Sequence, residues 1–318
     1  MDRRSFISAL ALLGVQAAVP GASAKVFAAA SAAPMDRRRR VAPFDDNLVC
    51  IISDLHTNPG AYQPRLLERV VADILKLNPL PSNVIALGDL AYLTGRPEEY
   101  ALLKEIIAPI EAAGIRLTLG MGNHDRRVEF SEAFPDHAAS SLMKDRYVYV
   151  VETPRADFIV LDSLQESEDR STWITPGALP ESEIEWLRER LATYGSKPVF
   201  VMSHHPIEEI GIRSILMESP TCCGYIYGHN HEWDPGRIHK NYHEYDVLRT
   251  LCVPSTGHWG DIGYVLLDLG ETQATARLQQ YEYFFPYPLP DGESKPAQWK
   301  MIEDENRGAT CSFSYRAR

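Results

Sequence analysis

Five apolar runs in this chain end in residue types that bind metal ions, and this pattern constrains the fold more than any other. The run 48–52 leads into Asp54 and His56, and Ile85-Ala86-Leu87 leads into Gly88-Asp89. The run 116–120 precedes Gly122-Asn123-His124-Asp125, 199–202 precedes Ser203-His204-His205-Pro206, and 225–227 precedes Gly228-His229-Asn230-His231. Short apolar runs bounded by turn residues read as buried strands. Between the first two, 62–77 carries Leu66, Leu67, Val70, Val71, Ile74 and Leu75 at helical spacing and stops at Asn78-Pro79. A second helix opens at Pro97 and stops at Gly114, and a third covers 180–194, with Glu181 and Glu183 favoured in its first turn by the helix dipole. Alternating strands and helices predict a largely parallel sheet with covered faces. In such sheets ligands gather beyond the carboxyl ends of the strands, so the five polar tips should surround one site. A surface or hydrogen-bonded role accounts for any one of these histidines, but not for the ordered set.

Asp54 and His56 stand two residues apart. In a strand, positions i and i+2 point the same way, so the two should converge just past the strand end. An oxygen and a nitrogen ligand there suit Zn, Mn or Fe. Gly88, Gly122 and Gly228 let the backbone turn closely at three of the endings. Further strands are expected at 147–151 and 157–161, joined by a turn at Pro154, and a closing run at 247–253, 263–268 and 274–285 suggests antiparallel additions. The expectation is an α/β chain with mixed sheets and helices outside. Residues 34–44 read as a flexible lead-in, 45–285 as one catalytic domain, and the proline-rich stretch 286–318 as a surface-wrapping tail.

With 45% hydrophobic and 24% charged residues over 318 positions, the composition is globular rather than disordered or fibrous. A formal charge of −11 argues against a general nucleic-acid binder, although an acidic protein can bind a phosphate ester where metal ions supply local positive charge. Residues 1–33 follow the charged, apolar, small-residue order of a secretory signal. Arg3-Arg4-Ser5-Phe6 resembles the twin-arginine type, with Ser8 where a lysine is usual; a general secretory signal and an N-terminal anchor are the alternatives. The expected location is therefore periplasmic or extracellular, with the twin-arginine export machinery as a partner. Of the five cysteines, Cys50 and Cys252 lie inside apolar runs and read as core residues, while Cys222-Cys223 leaves open a bridge to a distant partner such as Cys311.

The order D-x-H, G-D, G-N-H-D, H before H-P, and G-H-x-H resembles the calcineurin-like metallophosphoesterase family over residues 48 to about 268. The resemblance implies a four-layer α-β-β-α sandwich of two mixed sheets with flanking helices, and two metal ions bridged by one carboxylate. Carried over by motif, Asp54, His56 and His231 would hold the first metal, and Asn123, His204 and His229 the second, with Asp89 bridging. Two such metals can clamp the attacking and leaving oxygens of an in-line displacement and lower the pKa of bound water. A carboxylate has two oxygens with which to bridge, which an imidazole lacks. His124 would protonate the leaving alkoxide or stabilise the phosphoryl oxygens, and Asp125 would orient its ring.

One departure stands out. Gly88-Asp89-Leu90-Ala91-Tyr92 is similar to a segment of purple acid phosphatases in which the tyrosine binds ferric iron, yet those enzymes generally lack a histidine at the position of His56. Here both are present; His56 is taken as the ligand and Tyr92 as its neighbour. His205, Trp233, His258 and Trp259 are candidate pocket residues, with packing or backbone bonding as the alternative, and Glu166–Asp169, Glu244 and Asp246 read as solvated loops. The combined motifs resemble the branch containing cyclic-nucleotide and glycerophosphodiester phosphodiesterases. The expected substrate is a small phosphate ester, diesters before monoesters, with no stable nucleic-acid or membrane partner. An acid-phosphatase-type monoesterase and a non-catalytic metal-binding interaction module are the alternatives.

Overall fold

Leu48, Cys50 and Ile52 face one hydrophobic layer while Val49 and Ile51 between them face another. The pleat sends successive side chains to opposite faces, so a strand apolar at every position must be covered on both sides. The computed structural model describes residues 43–235, 248–290 and 292–315. The expected export signal at 1–33, most of the lead-in, Glu244 and Asp246 lie outside the described residues.

The first sheet has the order β11-β10-β9-β1-β2-β3. Its parallel part is β1 (Phe44–Ile52), β2 (Leu80–Ala86) and β3 (Arg116–Leu119). Its antiparallel part is β9 (Gly260–Leu269), β10 (Gln273–Phe284) and β11 (Thr310–Ser314). The second sheet runs β4 (Tyr149–Glu152), β5 (Asp157–Val160), β6 (Val199–Ser203), β7 (Cys222–Tyr227) and β8 (Arg249–Cys252). Only β4 is antiparallel to its neighbour there. Of the closing strands expected to add antiparallel, β9 and β10 do, whereas β8 extends the second sheet in parallel. Helices α1 (Gln63–Ile74) and α2 (Pro97–Ala112) cover the first sheet through Leu67, Val70, Val71, Ile74, Leu103 and Ile107. Helix α3 (Glu181–Thr193) covers the second through Leu187 and Leu191. Three hydrophobic layers thus separate four layers of structure, helices, sheet, sheet and helices. None of the helices among the described residues is long and apolar enough to cross a membrane.

Both ends of the domain extend further than the sequence suggested. Strand β1 begins at Phe44, which pairs with Leu80. The segment 286–318, expected to wrap the surface, contributes α4 (Ala297–Asn306) and the edge strand β11. The reason is its alternation: Cys311 and Phe313 point into the layer between the sheets, and the Phe313 ring meets Phe200 edge-on at 5.3 Å. Opposite Phe313, a Cβ on Gly224 would stand 2.5 Å from the ring, so only glycine permits the contact. The same alternation separates the vicinal cysteines, with Cys222 facing the outer layer and Cys223 the intersheet layer. The bridge left open by the sequence is not formed: all five cysteines are free and buried.

A cluster of charges gathers around the buried carboxyls of Asp162 and Glu183. Arg127 holds Asp162 with two hydrogen bonds, 2.8 and 2.7 Å, and reaches Glu166 at 2.8 Å. Glu183 on α3 accepts the Asp162 amide at 2.8 Å. Burial, and then the neighbouring Asp162 charge, push the Glu183 carboxyl up to about 8 from an ordinary value of 4.5. Between those values the folded chain keeps a proton that the unfolded chain has lost, so this group's contribution to stability falls as pH rises from about 4.5 to about 8 and then levels off. Glu183→Gln retains the acceptor for Asp162 without the ionisation. Urea unfolding at pH 5, 7 and 9 should show the wild type losing stability relative to the variant as pH rises; a difference constant with pH would remove Glu183 as the cause.

Candidate metal centre

The polar endings follow the carboxyl ends of β1, β2, β3, β6 and β7, and the face-to-face sheets bring all five together. Asp54 and His56 do converge, but not by strand alternation. Strand β1 ends at Ile52, and both residues then adopt left-handed backbone, with φ of 53° and 44°. Asp89, His229 and His231 do the same, at 48°, 70° and 56°. Asp, Asn and His tolerate this region better than most side chains. Each such position still costs roughly 1–3 kcal/mol and persists only where the surroundings over-determine it.

Here the endings brace one another. The His229 amide donates to both oxygens of Asp54 at 3.1 Å, and the His124 amide to Asp89 Oδ1 at 2.9 Å. Strand-like bonds continue past the sheet from Asp54 N to Gly88 O and from His56 N to Asp89 O, at 3.1 and 2.8 Å. The loop 254–261 closes over β1 through Thr256 N to Ser53 O and Gly257 N to Asp54 O. A Cβ on Gly122 would lie 2.2 Å from Asp89 N and Oδ1, and one on Gly228 would lie 1.9 Å from Ser53 Oγ.

Two donor groups meet at Asp89. In the first, one ligand atom from each of Asp54, His56, Asp89 and His231 lies within 4.8 Å of every other. In the second, His204 Nε2 lies 3.2 Å from Asp89 Oδ2, 3.2 Å from Asn123 Oδ1 and 3.2 Å from His229 Nδ1. The donors fit cations on chemical grounds. His56 Nδ1 donates to Tyr92 O at 2.9 Å and His231 Nδ1 to Trp259 O at 3.1 Å. In a neutral ring each Nε2 then turns a lone pair inward, and the two atoms face each other at 3.3 Å beside Asp54 and Asp89. Facing lone pairs repel unless a cation sits between them. By proximity His205 also groups with His204 and His229. Its nitrogens are engaged elsewhere, Nδ1 with Ser163 Oγ at 2.7 Å and Nε2 with Thr175 O at 3.1 Å, so Asn123 is the better donor.

Protonation is consistent with this. Burial opposes ionisation of Asp54 and Asp89, but His231 and His204 beside the first, and His204 and His124 beside the second, hold both carboxyls below their usual range. Burial lowers His56 well below its ordinary value and His229 to about 4, which favours neutral imidazoles. His204 is opposed by burial yet pushed up to about 9 by Asp89 and Asp54. The site attracts positive charge at that nitrogen, and a divalent ion supplies more than a proton.

Around the donors, several expectations change. Asp125 does not orient His124. Its carboxylate accepts from Gly122 N, Ala91 N, Leu90 N and Tyr100 Oη at 2.8–3.2 Å, tying the β2 ending to the β3 ending. The ring of His124 is held instead by Leu93 O, 2.9 Å from Nδ1, which leaves Nε2 3.9 Å from Asp89 Oδ2. Tyr92 serves His56 through its backbone carbonyl. Its ring lies edge-on to His56 at 6.3 Å, and burial raises its phenol, which disfavours a phenolate ligand. Trp233 is buried between the sheets, its amide on Asp261, and is not a pocket wall. His258 lies 4.4 Å from the His56 ring, and Trp259 packs 4.1 Å from His231. Glu166 is exposed as expected but paired to Arg127.

Sequence reasoning missed Arg126 and Trp173. Arg126 follows the N-H-D motif directly and is buried, its guanidinium on three carbonyls of the loop 163–177. Trp173 in that loop stands 4.7 Å from the His124 ring. Adjacency to the motif could have flagged Arg126; no local pattern marks Trp173.

The calcineurin-like phosphoesterase model matches residues 48–233. The chain belongs to that family. It is 32% identical over 203 residues to a probable cyclic nucleotide phosphodiesterase of Rhodopseudomonas palustris, covering 62% of this chain and 66% of the relative. A cAMP/cGMP dual specificity phosphodiesterase of Mycobacterium tuberculosis is 32% identical over 174 residues, covering 52% of this chain and 51% of that one. A probable glycerophosphodiester phosphodiesterase of Arcobacter nitrofigilis is 28% identical over 155 residues, 49% of this chain and 53% of the other. The chain thus spans about half to just under two thirds of the length of these relatives. A dimetal phosphatase from Danio rerio shares the fold, with a TM-score of 0.56 at 15% identity, covering 73% of this chain and 95% of the other.

Because Gly122 has no room for a Cβ against Asp89, Gly122→Ala should displace the shared carboxylate. Metal analysis of the purified variant should show markedly less than the wild-type metal per chain. Wild-type content in the variant would mean the close approach is not required.

Proposed function

We propose that this calcineurin-like phosphoesterase is a metal-dependent phosphodiesterase acting on small diesters, with 3′,5′-cyclic nucleotides and glycerophosphodiesters as the leading classes. The observation that carries the reading is the set of six donors around Asp89 with the His124 imidazole beside it. The relatives, cyclic nucleotide and glycerophosphodiester phosphodiesterases by name, favour diesters. Asp54, His56, Asp89 and His231 would hold one cation and Asp89, Asn123, His204 and His229 the other, with Mn, Fe or Zn all compatible with these nitrogen and oxygen donors. When bound, the ions polarise the phosphoryl oxygen and make a water nucleophilic near neutral pH.

The chain's own residues do the rest. His56 and His231 keep their Nδ1 protons on backbone carbonyls, which aims each Nε2 inward. His124 likewise spends Nδ1 on Leu93 O, so Nε2 is the atom that takes up a second proton, and in that imidazolium form the ring can hand it to a departing alkoxide and return to neutral. The backbone amides on Asp54 and Asp89 keep the carboxylates from swinging away. A panel of cyclic nucleotide, glycerophosphodiester, chromogenic diester and chromogenic monoester, tested with Mn, Zn and Fe, should show diester turnover that a chelator abolishes. His124→Ala should keep wild-type metal content and lose about 100- to 10,000-fold in turnover. Monoester turnover alone would favour the acid-phosphatase reading, and metal without turnover of any ester would favour a binding module.

We also propose export through the twin-arginine machinery to the periplasm or beyond, supported by Arg3-Arg4-Ser5-Phe6, the apolar segment 6–19 and the small residues after it. Replacing both arginines with lysine should leave the full-length protein in the cytoplasmic fraction; unchanged export would point to the general secretory route.

A further inference from the structure

The loop 163–177, between β5 and α3, is built onto the centre from two sides. Arg126, only 3% exposed, donates to Ser167 O, Asp169 O and Thr172 O at 2.6, 3.1 and 2.6 Å. His205 bonds Ser163 Oγ and Thr175 O, and a Cβ on Gly177 would stand 2.4 Å from its ring. Each anchor directly follows a site motif, Arg126 after Asn123-His124-Asp125 and His205 after His204, so the loop is held in register with the donors. Arg127 to Glu166 and Arg170 to Glu129 tie down its outer side.

What this loop presents is Trp173. Its ring lies 4.7 Å from His124 at 53°, yet the residue is 37% exposed. Rings then continue inward, His124 to His56 at 5.1 Å and His56 to His258 at 4.4 Å. A large indole left partly in water gains little for the core. Placed beside the proton-carrying imidazole, with an exposed surface, it suits a flat group attached to the phosphate.

We infer that Trp173 is a specificity-determining residue that stacks a planar substituent of the diester, a nucleobase or an aryl group, with Arg126 and His205 as positioning residues. This rests on the phosphodiesterase reading. Base–aromatic stacking corresponds to roughly a 5- to 150-fold effect on removal.

The test uses metal-loaded, full-length wild type, Trp173→Ala, Trp173→Phe and Arg126→Lys. The ratio of kcat/KM for cyclic AMP, and for bis(p-nitrophenyl) phosphate, to that for glycerophosphoethanolamine should fall roughly 5- to 150-fold in Trp173→Ala, mostly through KM, and recover in Trp173→Phe. Titration with adenosine 5′-monophosphate should quench wild-type tryptophan fluorescence, and that quench should be lost in both Trp173 variants. Arg126→Lys should lower the same ratio and increase acrylamide quenching of the Trp173 signal, taken as the difference from Trp173→Phe. An unchanged ratio in Trp173→Ala, or an AMP quench that survives without Trp173, overturns the inference. Wild-type failure on every ester overturns the phosphodiesterase reading instead, and the AMP titration still decides the stacking role.

Discussion

The carboxylate of Asp89 faces two groups of lone-pair donors at once. Three imidazole nitrogens lie within 3.9 Å of one of its oxygens, and the His124 amide holds the other. Everything nearby serves to keep that carboxylate charged and still. Burial alone would favour the protonated acid, and the surrounding histidines reverse that. The strained turns at Asp54, His56, Asp89 and His229 are tolerable because each is bonded to another ending, and that at His231 because its carbonyl and Nδ1 are bonded to the loop 254–261. The first sheet supplies Asp54, His56, Asp89 and Asn123, and the second His204, His229 and His231, so each donor group draws on both sheets and the intersheet hydrophobic layer sets how closely its members meet.

This places a demand on packing far from the centre. In the intersheet layer Phe158 stacks on Phe200 and Phe313 meets Phe200 edge-on, and the edge strand β11 delivers the last of them. The C-terminal segment therefore belongs to the unit that sets the distance between the sheets. Asp125 works at shorter range. Of its four accepted hydrogen bonds, those from Leu90 N and Ala91 N fix the β2 ending against the β3 ending, that from Gly122 N closes the β3 ending on itself, and that from Tyr100 Oη ties in α2.

Much of this was legible. Each donor ends an apolar run, and the rule that ligands collect beyond parallel strand ends places them together without coordinates. Element types and most boundaries followed from apolar periodicity and from Pro and Gly stops. The departures and the points left open share a cause. The role of Asp125 and the direction of β8, and the choices left open for Trp233 and for the thiols, all depend on which neighbour from a distant part of the chain arrives, and no local period encodes that. The tail was misread because its two buried residues, Cys311 and Phe313, sit in a short edge strand that composition hides beneath proline and polar residues.

By itself the sequence determined the chemistry available: seven nitrogen and oxygen donors, a histidine beside them, and an α/β framework whose strands end at those residues. Strand periodicity and residue type are local properties, so they can be read directly. Only the tertiary structure decided how the donors converge, through left-handed turns rather than strand alternation, that Leu93 O rather than Asp125 holds His124, and that Trp173 stands over its ring. Those outcomes depend on backbone carbonyls and on loops packed across the two sheets, and their positions exist only once the sheets have closed on each other.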